Sequence, residues 1–267
     1  MIRPCKSRLF VRMFRAYNRR LLARTFRRIH LDGDPSVLAP EGGAPLLICL
    51  SHASWWDPLL ALLLDERVPG LDSYGIMDAR QLRRWGFFTR LGMIGVDRAD
   101  LADARRLLEY APRLLSEPNK ALWITPQGRF ASLAERPLAF QAGIGHIAAR
   151  LPRFRAATVV FDYEFWDSSK PEAFVSVRPP TVHQGGALDR SAFVRSMERR
   201  MEDQIEALTA LRIQRNSALF TPLLVGRSGA VPSAHDADSP QADGRGAARE
   251  ARLSEAGPGH IVSGRRA

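Results

Sequence analysis

The chain has 267 residues, 45% of them hydrophobic, which is enough for one sizeable core. Its only cysteines, Cys5 and Cys49, support neither a disulfide framework nor a zinc site and fit a reducing compartment, and no run reaches the 18 or so apolar residues a membrane-spanning helix needs. The net charge of +11 is concentrated: residues 1–28 carry +10 without one acid, so the remainder is near neutral and does not have the dispersed basic surface of a nucleic-acid-binding domain.

In the basic leader, Phe10, Phe14, Tyr17 and Leu21 recur at helical spacing, with Met13 and Leu22 alongside. Residues 1–30 therefore read as a basic amphipathic helix of the kind that lies in a bilayer interface, its arginines meeting anionic lipid. A helix packed on the domain with a solvated basic face, and a transit peptide, are the competing readings. Next, Ala44 to Leu50 is a short apolar run ending at Ser51-His52, which predicts a buried strand. Asp57-Pro58 then opens the apolar run Leu59 to Leu64, with Asp at the helix N-cap and Pro at the first helical position. His52 and Asp57 thus share a strand-to-helix turn, the kind of place where ligands bind in α/β folds.

From there the pattern alternates. Strands are expected at 46–50, 73–77, 93–97, 120–125, 156–162 and 173–178, and helices at 58–66, 79–91, 99–116, 138–150 and 189–212. The fold class is therefore α/β, a mixed sheet flanked by helices, with the basic amphipathic helix in front. Arg83-Arg84-Trp85-Gly86-Phe87-Phe88 places cations beside aromatics and reads as a second interfacial patch or as core aromatics. Trp55 and Trp56 suit the wall of an apolar channel or simple packing. Residues 226–267, rich in Gly, Ala, Ser, Pro, Arg and Asp without hydrophobic period, read as a disordered tail, which leaves His235 and His260 without a role. The organisation expected is a leader at 1–30, a domain at 31–225 and the tail. His30, His146 and His183 lack partner patterns and read as structural or surface residues.

The chemistry lies in three segments. A histidine held by a carboxylate can take a proton from a hydroxyl, because the carboxylate fixes the tautomer and stabilises the imidazolium; His52 and Asp57 have the types and spacing for it. Gly92-Met93-Ile94-Gly95-Val96-Asp97-Arg98 and Thr125-Pro126-Gln127-Gly128-Arg129 follow in order. No Gly-x-Ser-x-Gly elbow, P-loop or dinucleotide fingerprint occurs.

In these blocks the chain resembles the glycerophospholipid acyltransferases, the lysophosphatidate or PlsC-like group. That family's Asn-His-x-Ser-x-x-Asp block is matched at His52, Ser54 and Asp57, with Ser51 for Asn, and its Gly-x-Ile-x-x-Asp-Arg block at Gly92, Ile94, Asp97 and Arg98. The third block, Pro-Glu-Gly-Thr-Arg followed by Phe-Lys-x-Gly, keeps Pro126, Gly128, Phe140 and Gly143. It departs at Gln127 for Glu, Arg129 for Thr, Phe130 for Arg and Gln141 for Lys. The resemblance implies an acyltransferase-like fold and direct transfer of a fatty acyl chain from acyl-coenzyme A or acyl carrier protein to a lysophospholipid hydroxyl. It requires no other cofactor and no metal. His52 would be the general base, Asp57 its orienting partner and Arg98 the cation for an anionic head group, with Ser54, Gln127, Gly128 and Arg129 completing the substrate site. Arg129 would supply the cation missing from the altered block. Gln127 points to a different acceptor, a lyso-glycolipid or lyso-aminolipid, or to a catalytically silent lipid-binding protein. The expected location is the cytoplasmic face of an anionic membrane, as a peripheral or monotopic protein.

Overall fold

A computed structural model describes residues 1–227. The elements run α1 (Arg8–Thr25), β1 (Arg28–Asp32), β2 (Leu46–Leu50), α2 (Asp57–Asp65), β3 (Asp72–Asp78), α3 (Ala79–Arg84), β4 (Met93–Val96), α4 (Leu101–Leu115), β5 (Lys120–Ile124), α5 (Gly143–Ala148), β6 (Arg153–Glu164), β7 (Glu172–Val177), β8 (Thr181–Gln184), α6 (Arg190–Arg212) and β9 (Thr221–Val225). The strands form one mixed sheet in the order β4-β3-β5-β2-β6-β7-β1-β9, with β8 also paired to β6. The five strands from β4 to β6 are mutually parallel. Their carboxyl ends therefore share one edge, and β2, β4, β5 and β6 deliver the chain there just before His52, Arg98, Gln127 and at Tyr163.

Every residue of β2 is buried, as a strand parallel to both neighbours and covered on both faces must be. Its alternate side chains feed two cores. Leu47 and Cys49 join the core that includes residues of α4, α5 and α6, whereas Leu46, Ile48 and Leu50 join the one that includes α2 and the end of α1. Burial pushes the Cys49 thiol up to about 12, which leaves it an inert packing group.

The leader helix docks on α2. Ser7 caps α1, its hydroxyl accepting from the Phe10 N–H at 3.3 Å, and Val11, Asn18 and Leu22 are buried. The Asn18 amide donates to the Leu59 carbonyl at 2.9 Å, and Arg15 pairs with Asp65 at 2.5 Å. The buried stripe is thus rotated one residue from the expected Phe10, Phe14, Tyr17 and Leu21, because α2 presents a carbonyl and a carboxylate as well as apolar surface. The boundary expected between residues 30 and 31 falls inside β1, a strand the charged flanks of Arg28-Ile29-His30-Leu31-Asp32 conceal. Ahead of α1, Ile2 exchanges two backbone hydrogen bonds with Gly95 at 2.7 and 2.9 Å, covering the edge strand β4. A Cβ on Gly95 would lie 3.0 Å from the Ile2 Cβ, so glycine permits this approach.

Several expected boundaries shift for local reasons. The helix expected at 79–91 breaks at Trp85 into α3 and a 3-10 turn, Gly86–Leu91, that ends on Gly92 at φ 101°. The helix expected from 138 begins only at Gly143, since Ala139 has a left-handed φ of 56°. Strands β8 and β9 were not anticipated; β9 contains Pro222 and pairs only at the sheet edge, the place that tolerates proline. Gly226 and Arg227, placed in the expected tail, donate to the Arg27 and Ala23 carbonyls, both at 2.8 Å. The rest of that tail lies outside the described residues.

Phe26, just past α1, is fully buried, packs edge-on to Trp56 at 5.3 Å and tilts toward Tyr163 at 6.0 Å. Phe26→Ala is expected to lower unfolding stability by about 3–5 kcal/mol in urea titrations followed by tryptophan fluorescence, through lost burial and the cavity left behind.

Candidate active site

The turn after β2 is fastened before the chemistry begins. Ser51 is buried: its N–H donates to the Val159 carbonyl at 3.1 Å, and its hydroxyl accepts from the Phe161 N–H at 2.9 Å. The chain then rises through His52 and enters α2 at Asp57, with Pro58 in the first turn. Asp57 is the first helical residue rather than the N-cap, and its carboxylate turns back across the loop. One oxygen, Oδ2, accepts from His52 Nδ1 and from the Ser54 N–H, both at 2.9 Å; the other, Oδ1, accepts from the Tyr163 hydroxyl at 2.5 Å. Asp57 is 0% exposed, and three donors compensate a carboxylate that burial would otherwise penalise.

In the neutral imidazole, Asp57 as the partner of Nδ1 places the proton there and leaves the lone pair on Nε2. The imidazole is partly exposed and stacks on the Phe130 ring, centroids 4.1 Å apart at 29°. Ala131 also donates its N–H to the His52 carbonyl at 2.9 Å. The third-block loop thus lies directly against the first block, and Phe130 contributes an apolar face there. Ser54 belongs to the turn: its hydroxyl accepts from the Trp56 N–H at 3.3 Å and its carbonyl from the Asp57 N–H at 3.2 Å.

Arg98 and Gly128 also meet. Arg98 is exposed beyond β4, and its guanidinium lies so close to Gly128 that a Cβ there would sit 2.8 Å from Cζ. Gly128 has φ 64°, so both conformation and space call for glycine. Among the described residues, none pairs with the Arg98 guanidinium in an ion pair or hydrogen bond. Gln127 is buried. Arg129 is placed otherwise than expected: it is ion-paired with Glu135, which holds its guanidinium protonated even more firmly than usual, and it donates to the Phe130 carbonyl at 3.3 Å. A carboxylate six residues onward occupies the charge expected to serve a substrate.

A cavity of about 1010 Å³ opens beside the pair, between the 130–136 loop, the end of β6 and the last turns of α6. Ala53, Phe130, Leu133, Tyr163, Ile205 and Ile213 give it largely apolar walls, and two cations, Arg136 and Arg212, and two carboxylates, Asp162 and Glu206, also line it. Phe130 and Tyr163 touch both the cavity and the His52–Asp57 pair. Neither was singled out as a site residue in the sequence: Phe130 showed only as a departure from the third block, and Tyr163 stands 106 positions from the carboxylate it contacts.

Elsewhere, the two interfacial candidates of the sequence form one surface. Phe14 packs on Phe87 at 5.8 Å and on Phe88 at 6.3 Å, and Phe10 on Phe87 at 6.3 Å. Leu9, Met13, Tyr17 and Trp85 remain exposed around them, with Arg84 over Trp85 and Arg90 over Phe10.

Parallel strands converge on a carboxylate-held histidine with a largely apolar cavity beside it, and the same sheet edge carries an arginine that pairs with none of the described residues; the molecule is an α/β protein with a candidate acid–base site. The sequence matches the acyltransferase family over residues 18–161, more than half of the chain. The protein belongs to that family, which includes the PlsC-like lysophosphatidate acyltransferases. No curated protein matches the sequence.

Proposed function

We propose that this acyltransferase moves a fatty acyl chain from acyl-coenzyme A or acyl carrier protein to the hydroxyl of a lysophospholipid such as 1-acyl-glycerol-3-phosphate. The observation that carries the reading is the His52–Asp57 hydrogen bond on Nδ1, which turns Nε2 away from the carboxylate at a site beside the apolar cavity, with Arg98 over Gly128 at the same edge of the sheet. His52 Nε2 takes the acceptor's proton as the hydroxyl oxygen attacks the thioester carbonyl. The tetrahedral species collapses to the new ester and expels the thiolate, which recovers the proton from the imidazolium. No acyl-enzyme forms. Asp57 holds the imidazole in the reactive tautomer and balances its charge. Arg98 offers its guanidinium fork to the anionic head group. The cavity is of the size and apolarity that suit a substrate chain.

A second acceptor class has its own support. With Arg129 engaged by Glu135 and Gln127 neutral, Arg98 is the only cation of the two blocks without a partner among the described residues, a sparse provision for a phosphate dianion. A lyso-glycolipid or lyso-aminolipid carries less negative charge. The deciding experiment follows thiol release from acyl-coenzyme A and from acyl carrier protein with a panel of lysolipids. Release that requires one lysolipid identifies the acceptor. No release with any lysolipid, from either donor, favours a catalytically silent lipid-binding protein.

The protein works, on this reading, at the cytoplasmic face of an anionic membrane, held peripherally by the aromatic and arginine surface of α1 and the 86–91 turn. No helix among the described residues is long and apolar enough to cross a bilayer. Replacing both Trp85 and Phe87 by alanine is expected to weaken sedimentation with anionic vesicles by about tenfold or more, since each exposed ring contributes apolar area to insertion. High salt is expected to weaken it further by screening the arginines. Binding equal to wild type in the double variant would remove this surface from the proposal.

A further inference from the structure

We propose that Tyr163 is a positioning residue of the catalytic pair, its hydroxyl locking Asp57 in the rotamer that presents Oδ2 to His52; this rests on the acyl-transfer reading above. Asp57 is wholly buried, and among the described residues Tyr163 is the sole donor to Oδ1, at 2.5 Å, while His52 and the Ser54 N–H share Oδ2. Without the phenol, Oδ1 would be a buried anionic oxygen with no partner, and the carboxylate would gain by turning toward solvent or toward His52 with the wrong edge. Tyr163 also lies just beyond the stretch matched to the family, residues 18–161, so the match itself assigns it nothing.

The phenol is built to remain a neutral donor. Burial, and then the charge of Asp57, push its ionisation well above the ordinary tyrosine range. The other charged groups near it are committed: Asp162 and Glu164, its neighbours on β6, both pair with Arg212 of α6, at 2.9 and 2.5 Å. Its ring is held between Phe26, centroids 6.0 Å apart, and the cavity it helps to line. A substrate chain in that cavity therefore touches the ring whose hydroxyl holds the dyad.

Tyr163→Phe removes the hydroxyl and keeps the ring. It is expected to lower kcat about 10- to 100-fold, the range for a lost hydrogen bond to a buried charge, while KM for donor and acceptor stays within about twofold. The acid limb of the kcat/KM profile is expected to move to higher pH, because the whole carboxylate charge then faces the imidazole. Loosened packing alone would not move that limb. The His52 Nδ1 proton resonance in NMR gives a readout independent of turnover, expected to shift and to exchange faster with water in the variant. 3-Fluorotyrosine in place of Tyr163 keeps the fold, strengthens the donor and is expected to shift the same resonance in the opposite direction. An unchanged resonance in both substituted proteins, or wild-type kcat and pH profile in Tyr163→Phe, overturns the proposal. Absence of acyl transfer by the wild type, with the resonance shifts present, instead overturns the acyl-transfer reading and leaves the role of Tyr163 standing.

Discussion

Alanine in place of His52 is expected to cut acceptor-dependent thiol release by about a hundred- to ten-thousandfold, the contribution of a well-placed general base. The size follows from the site. Nε2 is the one nitrogen of the pair left with a lone pair, because Asp57 Oδ2 holds the Nδ1 proton at 2.9 Å. The ring also forms no part of the deep core: it is partly exposed and touches Phe130 on one face, so its loss removes chemistry with little packing. KM for both substrates and sedimentation with anionic vesicles are expected to stay near wild type. Asp57→Asn tests the same point from the other partner. An amide donates to Nδ1 as readily as it accepts, which allows the proton to settle on Nε2 and blocks proton abstraction; a loss comparable to that of His52→Ala is expected. Retention of full activity by either variant would take the reaction away from this pair.

The second large effect concerns the head group. Arg98→Ala is expected to raise KM for an anionic lysolipid by about 10- to 100-fold, the worth of a charge-assisted bidentate contact, and to leave kcat at saturation less affected. With a neutral acceptor of the same chain length the variant is expected to resemble wild type, and that contrast separates substrate binding from mere destabilisation. Gly128→Ala attacks the same contact without touching the charge. Its Cβ would meet the guanidinium at 2.8 Å, and φ 64° is unfavourable for any L side chain. The arginine must move, so the same rise in KM is expected at reduced magnitude. Steady-state kinetics with matched anionic and neutral acceptors measure both. A rise in KM for the neutral acceptor equal to that for the anionic one would mean that Arg98 supports the loop and not the ligand.

Much of this site was legible in order along the chain. The apolar run Ala44 to Leu50 and the Asp57-Pro58 start placed a strand, a turn and a helix correctly, since run length and the proline are local signals. The same local signals misplaced what depends on a partner. Arg129 was expected to supply a cation to the substrate and is ion-paired with Glu135; Asp57 was expected at the N-cap and is the first helical residue, its carboxylate bonded to His52 and Tyr163. The helical period of the leader marked an apolar face, but the packed stripe includes Asn18, because the Leu59 carbonyl it satisfies belongs to another helix.

Readable without tertiary information were the α/β alternation, the strand-to-helix turn bearing His52 and Asp57, the order of the three blocks and the separation of basic leader from near-neutral body. These depend on residue type, short-range periodicity and chain order. Tertiary structure alone decided that Tyr163 completes the dyad, that Phe130 covers His52, that Gly128 lies under Arg98 and that the leader's aromatics join those of residues 85–88. Each of these is a meeting of side chains far apart in sequence. Sheet order brings them together, and a parallel sheet, by collecting the carboxyl ends of distant strands at one edge, makes such meetings invisible to any local reading.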